Sequence, residues 1–600
     1  MQKMHTFHIP VMGIGFSIDT PLKVAKYGID SVISLVDDIL LEKLRKMYCN
    51  KYNIIYTEIN VKTEDFRAKR ITAYLNLIND LAKKKFEELK NDINEIKKYF
   101  DLLPDSSIIK KEFKNLEAIS KDLNEIKKWI KDKISMGRID VNIMTKVDRV
   151  NYFNNERLSS EFNDGHAAVR GYANSDLYSS IILSAGLNPM LYGYMEGFED
   201  FYPDEEGKIK KKIVLKVSDY RSAFIQGKFL AKKGLWVSEY RIESGLNCGG
   251  HAFATNGHLL GPILSEFRDK HQELFQSTYE IFVRSLSTKK RIIPQKPLPI
   301  KITAQGGVGT AEEHQFLIDN YQVDSVGWAS PFLLVPEVTD VDKITIKKLI
   351  EAQEKEIYLS DISPLGVPFY SLKGNTKDVE KLDFIKKGRP GSSCPKDYVA
   401  LNYEFNEKGL CTASRQYQHL KLKELNHERE KFSTLEYKAN YNKIVEKSCI
   451  CVGLGTPALL VNDLDTKVEG EGVSICPGPN LAYFSKILSL KKMVDHIYGR
   501  INVITHVDRP NMFIKELNIY IDFIKNKIEE SRNSITEKNI KYLFTFIKNL
   551  TEGVDYYDDL FSKLEDKFEE TKTNILNNLE ICKRTLNLLQ IEIENLQITI

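Results

Sequence analysis

Two glycine turns and a set of cysteines carry the residue types from which chemistry can be built. In the first turn, Glu243-Ser244-Gly245-Leu246-Asn247 runs into Cys248-Gly249-Gly250-His251, just after an apolar stretch. Paired glycines permit a sharp bend at the end of a strand, and the imidazole delivered there suits proton exchange near neutral pH. In the second, Lys301-Ile302-Thr303-Ala304-Gln305 ends in Gly306-Gly307-Val308-Gly309-Thr310. Backbone without Cβ atoms can approach an anion closely and aim successive amides at it, as a phosphate cradle does; an ordinary tight turn uses the same glycines. The third group is Cys394, Cys411, Cys449, Cys451 and Cys476, spread through a region punctuated by Gly and Pro. Thiolates converging from such turns suit a zinc or iron–sulfur site. No Cys-x-x-Cys pair is present, so buried thiols behaving as small hydrophobes are the competing reading.

Elements must hold these groups in place. Short apolar strands alternate with helices, with strands expected from Ile9, over 31–36 and 139–143, over 180–184 and 213–217, and over 235–237, 300–304 and 325–328. Eight strands in a βα rhythm predict a TIM (β/α)8 barrel, which keeps its active site at the strands' C-terminal ends and phosphate after strands seven and eight. The barrel is assigned to 1–60 and 136–345. Residues 61–135 turn abruptly to Lys, Glu, Leu and Ile at helical spacing, broken at Leu103-Pro104-Asp105-Ser106-Ser107, which predicts an inserted helical hairpin. A Gly-, Pro- and Cys-containing extension follows over 346–500, and 501–600 again has helical periodicity with almost no Gly or Pro, predicting a C-terminal helical region. Gly137-Arg138-Ile139-Asp140 with Thr145-Lys146-Val147-Asp148-Arg149 is echoed by Gly499-Arg500-Ile501-Asn502 with Thr505-His506-Val507-Asp508-Arg509. Equivalent strand exits and coincidence explain the echo equally well.

The bulk composition excludes several classes. With 600 residues, 42% hydrophobic and 28% charged, the chain is too long for one core and too apolar for disorder. Lys plus Arg number 86 against 83 Asp plus Glu, so the formal charge of +3 does not indicate a nucleic-acid partner. The start, MQKMHTFHIPVMGIGF, lacks the basic region and long apolar run of a secretory signal, and no later stretch approaches a membrane span. A cytoplasmic protein is therefore expected, without membrane partners. In a reducing compartment its eight cysteines are not a disulfide framework.

Taken together, the motifs resemble the nitronate monooxygenase (2-nitropropane dioxygenase)-like family of FMN-dependent TIM barrels. Residues 245–264 are similar to its Gly-Gly-His turn and the Leu-Leu-x-Pro helix start that follows, here Leu259-Leu260-Gly261-Pro262. Gly306-Gly307 and Ala329-Ser330-Pro331-Phe332-Leu333 resemble its flavin-phosphate loops, with Ala329 and Ser330 in place of Gly and Thr. Ile9-Pro10-Val11-Met12-Gly13 with Ser17-Ile18-Asp19-Thr20-Pro21, Asp140-Val141-Asn142-Ile143, Ser184-Ala185-Gly186-Leu187-Asn188-Pro189 and Val214-Leu215-Lys216-Val217 match its first, third, fourth and fifth strands in order. The resemblance covers about Ile9 to Phe369 and implies FMN at the barrel's C-terminal face. Met12, Gly13, Asn142, Lys216, Gly249, Gly250, Gly306, Gly307, Ala329 and Ser330 would bind the cofactor, and His251 would handle the proton. Cys248 stands where the family has a Glu or similar residue.

The function expected is FMN-dependent oxidation or reduction of a small or acyl-chain organic substrate. Enoyl reductase-like chemistry is one variant. An iron–sulfur-linked flavin reductase, using the cysteines, is another. The alternative from a different class is a binding or assembly module whose helical arms engage an RNA or protein partner, or a second copy, with the barrel as scaffold.

Overall fold

Eight parallel strands form one sheet in which each strand pairs with its neighbour in sequence: β1 (Phe7–His8), β2 (Ser31–Ser34), β3 (Ile139–Met144), β4 (Ser179–Ser184), β5 (Lys211–Val217), β6 (Val237–Glu243), β7 (Lys301–Gln305) and β8 (Ser325–Gly327). β8 pairs back onto β1, and an Ile9 to Ser31 bridge joins β1 to β2, so the sheet closes into a TIM barrel. The structure is a computed structural model that describes residues 4–119, 123–184, 186–247, 256–506, 508–532, 536–564 and 569–598.

Register fixes which side chains point inward. Ser34 lies opposite Asn142, Asn142 opposite Ile182, Val214 opposite Glu239, Lys216 opposite Arg241, and Glu243 opposite Gln305. Because successive residues of a strand face opposite sides, Ser34, Asp140, Asn142, Ser180, Ser184, Lys216, Glu239, Arg241, Glu243, Thr303 and Gln305 all face the lumen. Only Val32, Ile182 and Val214, with Val11 against them, make an apolar cluster inside it. The opposite parity, with Ile33, Val141, Ile181, Leu215, Tyr240, Ile242 and Val326, belongs to the large core between sheet and helices. This explains why β6 extends to Glu243 rather than stopping at residue 237. Glu239, Arg241 and Glu243, beyond the strand end expected from sequence, form a lumen stripe.

The buried lumen charges are paired. Arg241 bonds Glu239 at 2.7 Å, Thr303 Oγ1 donates to the same carboxylate at 2.8 Å, and Arg138 reaches Asp30 at 3.0 Å. Burial works against the charge on Glu239, but Arg241 and Arg138 outweigh it and hold its carboxyl well below the usual range.

Among the described residues of 61–135 the elements are helices: α1 (Phe66–Leu89), α2 (Ile93–Leu102), α3 (Ile108–Ile119) and α4 (Leu123–Ile130). α1 packs into the barrel's helical ring. Gly171 on the helix Asp164–Ala173 lets it approach, since a Cβ there would stand 2.8 Å from the Ala68 carbonyl oxygen. Its first turn is tied down by Arg67 and Arg70, which meet Asp38 at 3.1 and 2.9 Å.

After the helix Lys343–Glu351 the extension forms an antiparallel hairpin, β9 (Ile357–Ser360) and β10 (Phe369–Leu372), and continues as helices and loops over the barrel mouth. Lys396 locks it there. Its ammonium, almost wholly buried, sits 2.6 Å from Asp37 and 3.3 Å from Glu469, and Tyr398 donates to Asp37 at 2.9 Å. The second copy of the Gly-Arg-Ile echo forms no strand among the described residues. Both copies instead end in an arginine that pairs with an acid in the first turn of a barrel helix: Arg149 with Asp164, and Arg509 with Glu313.

The C-terminal region is three long helices packed together, here α6 (Met512–Arg532), α7 (Glu537–Lys563) and α8 (Glu569–Ile598), with α5 denoting the barrel helix Ala311–Tyr321. Phe561 stacks on Phe316 of α5 and Phe513 meets the same ring edge-on, which anchors the bundle on the barrel. Among the described residues no single helix is long and apolar enough to cross a membrane.

Candidate functional site

Strand ends determine where the lumen opens. Inward residues near the C-terminal ends of β2 to β6, namely Ser34, Asn142, Ser184, Lys216 and Glu243, line a cavity of about 130 Å³ at the C-terminal mouth, with Gly13 at its edge. It adjoins a second cavity of about 610 Å³, a size that suits a cofactor or small molecule. Both share Met144, Lys216, Glu243, Leu365 and Val399. The extension forms the roof, through Phe369, Tyr398, Ile450, Cys451 and Leu454. Its closeness depends on Gly15, whose amide donates to the Leu454 carbonyl at 2.7 Å and whose Cβ would stand 2.6 Å from the Gly455 oxygen.

A polar chain crosses this mouth. Lys216 Nζ lies 2.6 Å from Glu243 Oε1, Asn247 donates to the same carboxylate, and Gln305 Nε2 donates to Asn247 Oδ1 at 2.8 Å. On the opposite wall, Asn142 Nδ2 donates to Ser184 Oγ at 3.4 Å, while Asn142 Oδ1 is buried without a hydrogen-bond partner. A buried acceptor left without a donor is costly, so a ligand donor placed in this cavity would be favoured there.

Of the residues expected from sequence, Gly13, Asn142 and Lys216 line the same cavity, and Met12 is buried beside Gly13. Gly306 and Gly307 follow β7 at φ of 114° and 83°, in the left-handed region that favours glycine. Ala329 and Ser330 follow β8, the next strand, and Ser330 opens the short 3-10 turn Ser330–Leu334. None of these four lines either mouth cavity. Part of the turn is already engaged. Glu313 caps the start of α5, accepting from the Gly309 and Thr310 amides at 2.8 and 3.2 Å, and Arg509 pairs with it at 2.8 Å while donating to the Gly307 carbonyl at 3.0 Å. His251, with Cys248, Gly249 and Gly250, lies outside the described residues.

Sequence reasoning passed over Glu243, Gln305, Ser184, Tyr398 and Tyr520. The signal for the first three is the alternation of polar residues along apolar strands. Nothing in the sequence marks the other two, which arrive from distant segments.

The cysteines lie behind the roof. Cys394, Cys411, Cys449 and Cys451 are buried neighbours. Contact with the thiols of Cys411 and Cys449 pushes Cys394 up, while contact with Cys394 and Cys451 holds Cys449 down. Cys476, also buried, neighbours Tyr370. Among the described residues no group of three or more His, Cys, Asp or Glu is arranged to hold a metal ion. The expectation of a zinc or iron–sulfur centre at these five cysteines gains no support from this arrangement, in which four of the thiols contact one another inside a core.

No family model matches the chain, and no curated protein does. Among solved structures it is similar to the enoyl reductase domain of MlnA from the macrolactin biosynthesis cluster of Bacillus amyloliquefaciens, at 15% identity over 64% of this chain and 85% of that one, with a TM-score of 0.32. FabK from Thermotoga maritima is similar at 11% identity over 68% and 83%, with a TM-score of 0.29. Nitroalkane oxidase from Streptomyces ansochromogenes is similar at 9% identity over 83% and 96%, with a TM-score of 0.32. Likeness of this degree carries no argument about activity, and the barrel rests on its own strand order and closure.

Proposed function

We propose that the protein is an FMN-dependent oxidoreductase of the nitronate monooxygenase-like class, acting on a small or acyl-chain organic substrate. The observation that carries this reading is the mouth cavity itself, walled by inward residues near the ends of five consecutive strands and holding the unpartnered Asn142 Oδ1. Three residues that the family resemblance assigns to a flavin, Gly13, Asn142 and Lys216, meet there.

When bound, the flavin supplies the redox chemistry. This chain's residues would bind and orient it. Asn142 offers an acceptor to a ring donor, and the Lys216–Glu243 pair sets the charge of the adjoining wall. The phosphate contact falls to the amides near Gly306, Gly307, Ala329 and Ser330, because those of Gly309 and Thr310 already serve Glu313. Gly249 and Gly250 complete the family's set, and His251 is assigned the substrate proton from its place after β6. The roof from Leu365 to Leu454 excludes water.

The test is optical and cheap. Protein purified and reconstituted with FMN is expected to show flavin absorption bands and to bind FMN more tightly than riboflavin, which lacks the phosphate. Absence of uptake would overturn the flavin reading, and equal affinity for the two would remove the phosphate role of the glycine turn. His251→Ala is expected to retain FMN and slow the half-reaction that moves the substrate proton. The substrate class is approached by following anaerobic flavin bleaching with nitroalkanes and with enoyl thioesters plus a nicotinamide reductant.

A further inference from the structure

Building on the flavin reading, we infer that the C-terminal helices complete the active site, with Glu516 as a positioning residue for the exit of β6 and Tyr520 as part of the cavity wall. The helix Leu260–Asp269 starts at the far end of the segment that leaves β6, and one buried carboxyl holds both ends of that segment. Glu516 Oε1 accepts from Ser244 Oγ at 2.9 Å, and Oε2 accepts from the Leu260 amide at 2.9 Å. One turn along α6, the Tyr520 hydroxyl accepts from the Gly245 amide at 3.2 Å and donates to Glu516 Oε1 at 3.3 Å.

Glycines make this approach possible at both ends. A Cβ on Gly245 would stand 2.5 Å from the Tyr520 ring, and one on Gly261 would stand 2.3 Å from the ring of Tyr557, whose hydroxyl accepts from the Gly261 amide at 2.9 Å. Near the same end, Asn549 of α7 donates to the Asn256 carbonyl at 2.6 Å. The fit is therefore built from both α6 and α7.

The contacts bear on the site because Ser244 follows Glu243, the partner of Lys216, and because Ser244, Gly245 and Tyr520 all face the larger cavity. A carboxyl placed wholly out of water is costly to a fold unless its oxygens are met. Those of Glu516 are met by this segment and by Tyr520. Its function is accordingly to fix where the β6 exit, and with it the Lys216–Glu243 pair, stands against the cavity.

The experiment compares the full-length chain with Glu516→Ala, Glu516→Gln and Tyr520→Phe. It measures amide hydrogen exchange over residues 244–261 and FMN affinity by quenching of flavin fluorescence. Glu516→Ala is expected to lose protection at the Leu260 amide and to weaken FMN at least tenfold. Glu516→Gln, which can still accept from Leu260 and engage Ser244, should keep both. Tyr520→Phe should keep the Leu260 protection and lose severalfold in FMN affinity. If the wild type binds FMN and Glu516→Ala matches it in exchange and affinity, the inference is overturned while the flavin reading stands. A wild type that takes up no FMN defeats the flavin reading and the inference resting on it, even if the exchange pattern appears. Should Glu516→Ala fail to fold, Tyr520→Phe decides, and unchanged FMN affinity there overturns the wall role.

Discussion

Lys216 and Glu243, the last inward residues of neighbouring strands, meet at 2.6 Å across the barrel mouth and set the charge of the cavity wall. Replacing one leaves the other without its counter-charge in a half-enclosed site. Lys216→Met is therefore expected to weaken FMN at least tenfold, and Lys216→Met with Glu243→Gln to recover part of the loss. A double-mutant cycle on FMN affinity should give a coupling of about 1–3 kcal/mol, and additive single effects would show that the pair does not act as a unit.

Glu516 makes stability depend on pH. Burial raises its carboxyl from 4.5 to about 7, while its hydrogen bonds from Leu260, Ser244 and Tyr520 only moderate the rise. The surrounding Tyr370, Tyr520 and Tyr557 are themselves pushed up by burial and stay neutral in this range. With the folded value above the unfolded one, the folded state binds the extra proton. The group's contribution is fully present below about 4.5 and is lost as pH rises through about 7. The loss amounts to about 3 kcal/mol. Glu516→Gln should remove this dependence, so that urea midpoints of variant and wild type diverge between pH 5 and 8 in the variant's favour.

Arg509 and Glu313 form a buried pair at 2.8 Å. Arg509→Met should lower stability by about 3–5 kcal/mol by leaving the carboxylate alone, and adding Glu313→Gln should restore much of it. Equilibrium urea unfolding measures both, and a loss under 1 kcal/mol for the single variant would contradict the reading.

Gly307 adopts φ 83°, and a Cβ there would stand 2.3 Å from the Leu246 side chain. Gly307→Val thus strains the backbone and pushes on the β6 exit as well as the proposed phosphate site. It should lower the melting temperature and FMN affinity together, with riboflavin affinity falling less than that of FMN.

Buried, mutually contacting thiols should react slowly. Cys394, Cys411, Cys449, Cys451 and Cys476 are expected to resist a thiol reagent in the native protein and to react at once in denaturant. Rapid native labelling of any of them would mean the roof opens readily.

The barrel was legible because its outward parity is apolar and recurs with helices between, and all eight expected strands are present with shifted ends. The error at β6 shows the limit: Glu239, Arg241 and Glu243 are charged yet inward, and no single strand reveals that its polar side faces a lumen. Motif order singled out Asn142 and Lys216, which line one cavity. It did not reveal the partnership of Lys216 with Glu243, since register between neighbouring strands decides it. Tyr398, Glu516 and Arg509 were invisible for a plainer reason. Each acts on the barrel from a segment hundreds of residues away, where local periodicity holds no information about the contact. The cysteines were legible only as a set: that four of them meet depends on loops whose convergence local sequence does not encode.

The Arg509–Glu313 pair also imposes an order on biosynthesis. Its members are 196 residues apart, and a ribosome adding 5–20 residues per second separates their emergence by about 10–40 s. For all but the first part of that interval the eight strands have been made, yet the acid at the start of α5 has no counter-charge to enter the interior with. The nascent barrel must wait with that helix end solvated, and it can close fully only when the tail of the chain arrives to dock.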